Sequence, residues 1–298
     1  MRYDEARMLH DVPAADARHA TAARRALVTV AMMIVAGGGA APAAHAEGNV
    51  SVNLNDKGKM KLTGDAESNS VDIRPVGDSG TVAVTGLDDT TVNGSPSPLA
   101  VTGATGLSAE LDKGDDTLEV EDLAFADKVK VDLGNGTNAV LLDSVTAQKK
   151  VSVSGGKGGD SITVRGNSSF ASNLGISSGG GPDTITITNV FCGSDLNITT
   201  SGGNDFVEVS LVTLESDGNL ELETEGGNDT LDLFNDNFEG DVDIDLGDND
   251  DDLIVEDCDF DEKVEINGGG GDDEADNAGG NSFDLGEVIR IKGFEDID

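Results

Sequence analysis

Aromatic and histidine side chains are scarce in this sequence. It has no tryptophan, one tyrosine and three histidines, and Tyr3, His10, His19 and His45 all fall in the first 46 residues. This segment has the pattern of a cleaved export signal. The remaining chain then lacks the histidine that Ser/His/Asp catalysis, Cys/His catalysis and histidine-based zinc sites need. It also lacks the tyrosine and tryptophan rings that would stack on a sugar ligand. Composition alone therefore excludes several large classes of enzyme.

Positive charge is also scarce. Lysine and arginine number 19 against 58 aspartates and glutamates, for a formal net charge of −39. Such a surface disfavours nucleic acid and anionic membranes as partners, and it favours divalent cations, basic partners or a salty medium. Acidic, aromatic-poor chains are often disordered. The apolar residues of this one recur at regular intervals, which indicates a folded protein.

The first 46 residues resemble an export signal. Arg24 and Arg25 precede the apolar run 26–36, and Ala44-His45-Ala46 has the pattern of a cleavage site. We expect a signal peptide over residues 1–46, cleavage after Ala46, and a secreted or cell-surface protein that does not insert into the membrane afterwards. Three alternatives stay open: an uncleaved anchor, which glycines 37–39 disfavour, a twin-arginine signal, and a start codon further downstream.

A repeat of about 22 residues runs through the rest of the chain. Its marker is the acidic or amide residue that ends each glycine-rich turn, which we call the zero position. The zero positions are Asp116, Asn138, Asp160, Asp183, Asp205, Asp229, Asp251 and Asp273. Their spacings are 22, 22, 23, 22, 24, 22 and 22 residues. A fixed period of this length is typical of a solenoid.

Apolar residues keep fixed offsets from the zero position. They lie nine and seven residues before it and two and four residues after it, as Val151, Val153, Ile162 and Val164 do around Asp160. This alternation predicts two short strands per coil, one on each side of the turn. A third apolar row consists of Phe125, Ala147, Phe170, Cys192, Phe238 and Phe260, with Leu214 near the row but out of step with it.

These patterns predict an all-β fold, a right-handed parallel β-helix of about 22-residue coils. One coil cannot bury its apolar face alone, whereas stacked coils bury it against each other. Right-handedness follows from the general rule for parallel crossovers. We expect residues 47–106 to form N-terminal capping strands and the first irregular coils, with Val82 and Val84 beginning one of them. Residues 107–298 should form the regular helix and a C-terminal cap that includes residues 288–294.

The glycine turns resemble those of a known repeat family. Gly155-Gly-Lys-Gly-Gly-Asp160-Ser-Ile162 is similar to the haemolysin-type (RTX) calcium-binding repeat. That resemblance implies Ca²⁺ as a ligand. RTX repeats follow one another every nine residues, whereas this chain has one glycine turn per 22 or so. In coil length the chain instead resembles the pectate-lyase-like β-helices.

The zero-position aspartates are the candidate metal ligands. The set is Asp116, Asp160, Asp183, Asp205, Asp229, Asp251 and Asp273. Stacking would bring them to about 5 Å, where two unit charges repel by roughly 3 kcal/mol at an effective dielectric of 20. A column of this kind would attract hard cations such as Ca²⁺. Two interpretations stay open: Ca²⁺ binding along this edge, or a structural role in which the side chains bond to turn amides.

Other candidate chemistry is weak. Cys192 and Cys258 fall in apolar rows, so we expect two buried free thiols. Arg290-Ile-Lys292 resembles a tripeptide of polygalacturonase-type hydrolases, but its position predicts a capping role. Arg165 is the one basic candidate in the repeat body, and we expect a surface residue.

The sequence therefore predicts an exported, non-catalytic acidic module of a surface, matrix or adhesion structure, with divalent cations and surface or matrix polymers as partners. One alternative is a β-helix polysaccharide lyase or hydrolase that uses carboxylates and Ca²⁺. Another is that the charge is only an adaptation to high salt.

Overall fold

The chain folds into a β-solenoid in the part that the structure describes. The structure is a computed structural model, and it describes residues 48–298 apart from 78–79, 216, 284–288, 295 and 298. The predicted signal segment, residues 1–46, lies outside the described residues. The described residues form strands and turns without a helix, so they include no helix that could cross a membrane.

Thirty strands build the described part of the fold. The first seven are β1 (Asn49–Leu54), β2 (Lys59–Thr63), β3 (Ser70–Pro75), β4 (Thr81–Leu87), β5 (Thr91–Val92), β6 (Leu99–Thr102) and β7 (Gly106–Glu110). The next twelve are β8 (Thr117–Glu121), β9 (Ala124–Phe125), β10 (Val129–Asp132), β11 (Ala139–Asp143), β12 (Thr146–Ala147), β13 (Val151–Lys157), β14 (Ser161–Arg165), β15 (Ser168–Phe170), β16 (Leu174–Gly180), β17 (Thr184–Cys192), β18 (Leu196–Thr200) and β19 (Phe206–Leu214). The last eleven are β20 (Leu220–Glu223), β21 (Thr230–Phe234), β22 (Asn237–Phe238), β23 (Val242–Asp245), β24 (Asp252–Glu256), β25 (Asp259–Phe260), β26 (Val264–Asn267), β27 (Glu274–Gly279), β28 (Ser282–Phe283), β29 (Ile289–Lys292) and β30 (Asp296–Ile297).

Each regular coil contributes to three parallel ladders. In the first ladder, which precedes the glycine turn, β7, β10, β13, β16, β18, β20, β23, β26 and β29 pair in that order. The second ladder follows the turn, and its pairs include β11 with β14, in which Val140 lies opposite Ile162. The third ladder is short, as in the pairing of β12 with β15. The predicted parallel solenoid of about 22-residue coils is confirmed.

The three ladders enclose one apolar core, because the apolar residues at the repeat positions alternate with outward-facing ones and point inward. Val129, Val131, Leu142 and Ala147 are each fully buried, as are their equivalents in most other coils. Leu214 lies in the third apolar row, because it pairs with both Cys192 and Phe238. The expectation that it is out of step with this row is wrong. The two extra residues of its coil therefore enter after it, before β20.

The corner between the second and third ladders needs a left-handed residue in each coil. Backbone φ angles of 54–63° recur at Asp122, Ser144, Asn167, Asn189, Leu211, Asn235 and Asp257. Asparagine and aspartate tolerate this conformation because their side chains can bond locally. Ser144 and Leu211 are the exceptions. The hydroxyl of Ser144 donates to Gly166 O at 2.9 Å, whereas nothing in the structure explains Leu211.

The N-terminal part differs from the regular coils. Strand β2 pairs in parallel with β7, and β3 pairs in parallel with β8, so these strands form a coil that stacks directly on the coil of Asp116. The expectation that Val82 and Val84 begin a coil is wrong, because β4 runs antiparallel to β3 and β6 runs antiparallel to β4. Gly77 and Gly80 have positive φ angles, which lets the chain reverse its direction there.

The described C-terminal part ends with one strand on each of the first two ladders. Strand β29 pairs in parallel with β26, and β30 pairs in parallel with β27. Arg290 forms an ion pair with Glu265 at 3.0 Å. Beside this strand lies an apolar cleft lined by Val255, Phe260, Phe283 and Ile291 among others, where the core reaches the last described coil.

Candidate functional site

The zero-position side chains point into the stack, where they bond to the neighbouring coil. Each is only 1–3% exposed, and each accepts a hydrogen bond from the backbone N–H of the zero residue one coil earlier. In the coil formed by β2 and β3, Asn69 takes the zero position. The donors and acceptors are Asn69 to Asp116, Asp116 to Asn138, Asn138 to Asp160, Asp160 to Asp183, Asp183 to Asp205, Asp205 to Asp229, Asp229 to Asp251 and Asp251 to Asp273, at 2.7–2.9 Å to Oδ1.

The zero-position backbone adds a second bond between the same coils. The carbonyl of Asp160 accepts a hydrogen bond from the N–H of Thr184, and the carbonyl of Asp183 accepts one from Phe206. A zero residue therefore both donates to the next coil and accepts from it. Hydrogen bonds to charged groups contribute about 1.5–3 kcal/mol each, and a buried N–H left without an acceptor costs about 1–3 kcal/mol. The row therefore holds successive coils in register at the turn.

One oxygen of most of these carboxyls has no hydrogen-bond partner. The buried Oδ2 atoms of Asp116, Asp183, Asp205, Asp229 and Asp251 are in this state. Burial raises the pKa of Asp116 to about 6 and that of Asp251 to about 7. It also raises the pKa of Asp160, Asp183 and Asp229. These five carboxyls therefore hold a proton more tightly than exposed ones do.

The residue five positions earlier in each coil lies inside the turn with the carboxyl. A β-carbon built on Gly155 would overlap Oδ2 of Asp160, which shows that the carboxyl points to this position. Asp116 and Asp251, which have the largest shifts in the row, have Leu111 and Leu246 there, both fully buried.

Polar residues occupy the same position in other coils. Ser178 and Thr224 stand there in the coils of Asp183 and Asp229, where the N–H groups of Asp160 and Asp205 offset part of the rise in pKa that burial causes. The coil of Leu133 carries the amide Asn138 in place of a carboxyl, and this side chain still accepts a bond from Asp116 N–H and donates one to Gly136 O. An uncharged side chain at the zero position can therefore make the hydrogen bond between coils that aspartate makes elsewhere.

A second column of polar side chains lies on the outside of the turns. Asp115 and Asp250 are exposed, and each accepts a hydrogen bond from the equivalent turn one coil later, from Thr137 N–H at 2.8 Å and Asp272 N–H at 3.0 Å. Asp248 and Asp272 are also exposed at this edge. The glycine turns thus carry a buried row and an exposed row of carboxylates.

The structure brings the candidate metal ligands into one row but does not gather them into a cluster. Among the residues described, no group of three or more His, Cys, Asp or Glu side chains is placed to hold a metal ion. The predicted structural role, in which the side chains bond to turn amides, is confirmed by the hydrogen bonds above. Calcium binding at these residues stays a prediction.

The other candidates lie where their positions in the repeat suggested. Cys192 and Cys258 are free and buried, which confirms two interior thiols. Arg165 forms an ion pair with Asp143 at 2.7 Å on the outer face.

Asp236 was not among the residues predicted from the sequence. This side chain is 2% exposed, and burial raises its pKa to about 8. Its Oδ1 accepts a hydrogen bond from Val212 N–H at 2.8 Å, and its Oδ2 lies 3.9 Å from Sγ of Cys258. The signal that could have revealed it is its offset of seven residues from the zero position, which it shares with Val190 and Val212.

Comparison with known proteins does not assign the chain to a family. No family model, no curated protein and no solved structure matches it.

Proposed function

We propose that the chain is an exported, non-catalytic scaffold of a surface, matrix or adhesion structure, and that Ca²⁺ bound at its glycine-turn edge stabilises it. The observation that carries the proposal is the uniformity of the coils. From Gly106 to Phe283 the coils stack strand on strand with repeats of 22–24 residues. Such a coil has little chain to spare for loops that would build a substrate cleft. The geometry favours a long regular surface over an enclosed active site.

The turn edge offers oxygen atoms of the kind that Ca²⁺ prefers. Five buried aspartates each hold an Oδ2 atom without a hydrogen-bond partner, and the exposed carboxylates of Asp115, Asp248, Asp250 and Asp272 lie along the same edge. A cation bound among the exposed carboxylates would lie along the buried row and reduce the repulsion that both rows share within a chain of net charge −39. The haemolysin-type resemblance of the turns points to the same ion.

Thermal unfolding of the signal-free chain tests this proposal. We expect about 5 mM CaCl₂ to raise the free energy of unfolding by about 1–2 kcal/mol per site, if the affinity is that of extracellular calcium modules. NaCl at the same ionic strength should raise it less, because screening alone does not use the geometry of the edge. Asp229→Asn should reduce the calcium effect, since it keeps the acceptor for Asp205 N–H but removes a charge.

The matched control is Asp261→Asn, which removes the same charge from an exposed position away from the glycine turns. It should leave the calcium effect unchanged. Equal stabilisation by CaCl₂ and NaCl would contradict calcium binding and favour simple salt adaptation. Cleavage of uronic-acid polymers by the purified chain would contradict the non-catalytic part of the proposal and favour a polysaccharide lyase or hydrolase.

A further inference from the structure

Asp236 is a buried carboxyl that the fold does not require. It lies in an inward row near the third ladder, where Val145, Val190 and Val212 occupy the equivalent position in other coils. An uncharged acceptor does the same work elsewhere in the row. Ser168 Oγ accepts from Val145 N–H at 3.0 Å, and Asn281 Oδ1 accepts from Cys258 N–H at 2.8 Å. Hydrogen bonding alone therefore does not explain why an ionisable carboxyl occupies this position.

The surroundings of Asp236 oppose its ionised form. Burial is the largest cause that raises its pKa, and Asp232 on its own coil adds to the rise as a like charge. The N–H groups of Val212 and Phe234 and the thiol of Cys258 donate to the carboxyl and offset only part of that rise. Cys258 is 1% exposed, and burial raises the pKa of its thiol to about 12, so this donor is neutral near pH 7. An ionised Asp236 would thus be shut off from water beside a like charge, with no positively charged partner among these groups.

Asp236 lies toward the C-terminal end of the solenoid, and this position decides which coils its ionisation destabilises. Each coil of a solenoid contacts only its neighbours, so coils at one end can open while the rest stays folded. The coil of Asp236 and the coils after it meet the remainder of the stack through the pairing of β19 with β21 and β22 and of β18 with β20. Unfolding of the coils from this junction to the C-terminal end would hydrate the carboxyl and expose Cys258.

We propose that Asp236 is a proton-controlled latch, whose neutral carboxyl keeps the C-terminal coils on the stack and whose ionisation releases them and makes Cys258 accessible. The sign follows from the folded pKa of about 8 against an ordinary value of 3.8. The latch is fully closed below about pH 4, it loosens as the pH rises toward 8, and it changes no further above that. For one proton, the opening constant rises about tenfold per pH unit within this window.

Thiol labelling of the purified chain tests the latch. Methyl methanethiosulfonate is applied to the folded chain between about pH 5 and pH 8, and each cysteine is quantified by peptide mass spectrometry. Division by the labelling rate of the urea-unfolded chain at the same pH removes the effect of thiolate content. Cys192 is the internal control, because it is equally buried and has apolar row neighbours in Phe170 and Leu214.

Asp236→Asn is the variant that isolates the latch. By the pattern of Asn281, whose Nδ2 donates to Val255 O, we expect the new amide to reach Val209 O and the fold to persist. Other carboxyls on the released coils, such as Asp251, are present in both the unsubstituted chain and Asp236→Asn, so their contribution to opening cancels in the ratio of the two. The ratio of Cys258 opening in the unsubstituted chain to that in Asp236→Asn should therefore rise about a hundredfold from pH 5 to pH 7.

Asp261→Asn, with the same charge change on the surface, should behave like the unsubstituted chain. A constant ratio across the pH range would overturn the proposal, because Asp236 would then play no part in opening. Labelling of Cys192 that rises in step with Cys258 would also overturn it, since the whole chain rather than its C-terminal coils would be opening.

Discussion

Replacing Gly227 by alanine should destabilise the chain by about 3–5 kcal/mol, whereas the same change at Gly226 should cost less than about 1 kcal/mol. Gly227 has a φ of +141°, and a β-carbon there would overlap the carbonyl oxygen of Gly203 one coil earlier. The overlap arises because the backbones of stacked turns lie in contact with each other, and the positive φ adds strain for any residue with a β-carbon. Gly226 lies next to it without a positive φ, and a β-carbon there would have no atom within 4 Å.

The two variants form a matched pair, because they make the same substitution at adjacent residues of one turn. Urea unfolding followed by far-UV circular dichroism is the appropriate measurement, since the chain has no tryptophan for fluorescence. A similar midpoint for both variants would show that the turns do not stack closely, and the glycine pattern would then need another explanation.

Phe238→Ala should destabilise the chain by about 3–5 kcal/mol, in the range for a fully buried phenylalanine. Phe238 is completely buried in the third apolar row, and its ring centroid lies 5.6 Å from that of Phe260, which in turn lies 5.0 Å from that of Phe283. Truncation would open a cavity between three successive coils, and the surrounding strands are held in place by pairing on both sides. The site can therefore collapse very little.

Phe191→Ala is the control for this prediction, because Phe191 points outward from β17 and is 36% exposed. Its loss should cost less than about 1 kcal/mol. Calorimetric or chemical unfolding of both variants measures the two losses in the free energy of unfolding. Equal losses would place the two rings in similar environments and would contradict an enclosed third row.

Much of the fold was predictable because the repeat fixes which strand residues point inward. The positions of Val129, Val131 and Leu142 follow from alternation alone, and the structure buries each of them. The excursion of β4 and β6 was not predictable in this way, because Val82 and Val84 alternate as any strand does and alternation does not distinguish parallel from antiparallel partners. Leu214 was misplaced because an insertion after it looks the same in the sequence as one before it.

The orientation of the zero-position carboxyls lay beyond sequence reasoning. Alternation stops at a turn, so Asp205 could point outward to a cation or inward to an amide according to the local backbone. The rise in pKa also depends on the path of the turn, which places Asp251 near Leu246 and Asp229 near Thr224. Asp236 was overlooked because acidic residues are common in this chain and its offset from the repeat had no apparent meaning until the coils were stacked.

Amide hydrogen exchange at the zero positions tests the central claim most directly, namely that this row binds successive coils together from inside the stack. The N–H of Asp160 donates to Oδ1 of Asp183, and the N–H of Asp183 donates to Oδ1 of Asp205. We predict that these amides exchange only when the chain unfolds globally, and that Asp205→Ala selectively speeds exchange at Asp183. Exchange at the rate of exposed turn amides, unchanged by Asp205→Ala, would contradict the account.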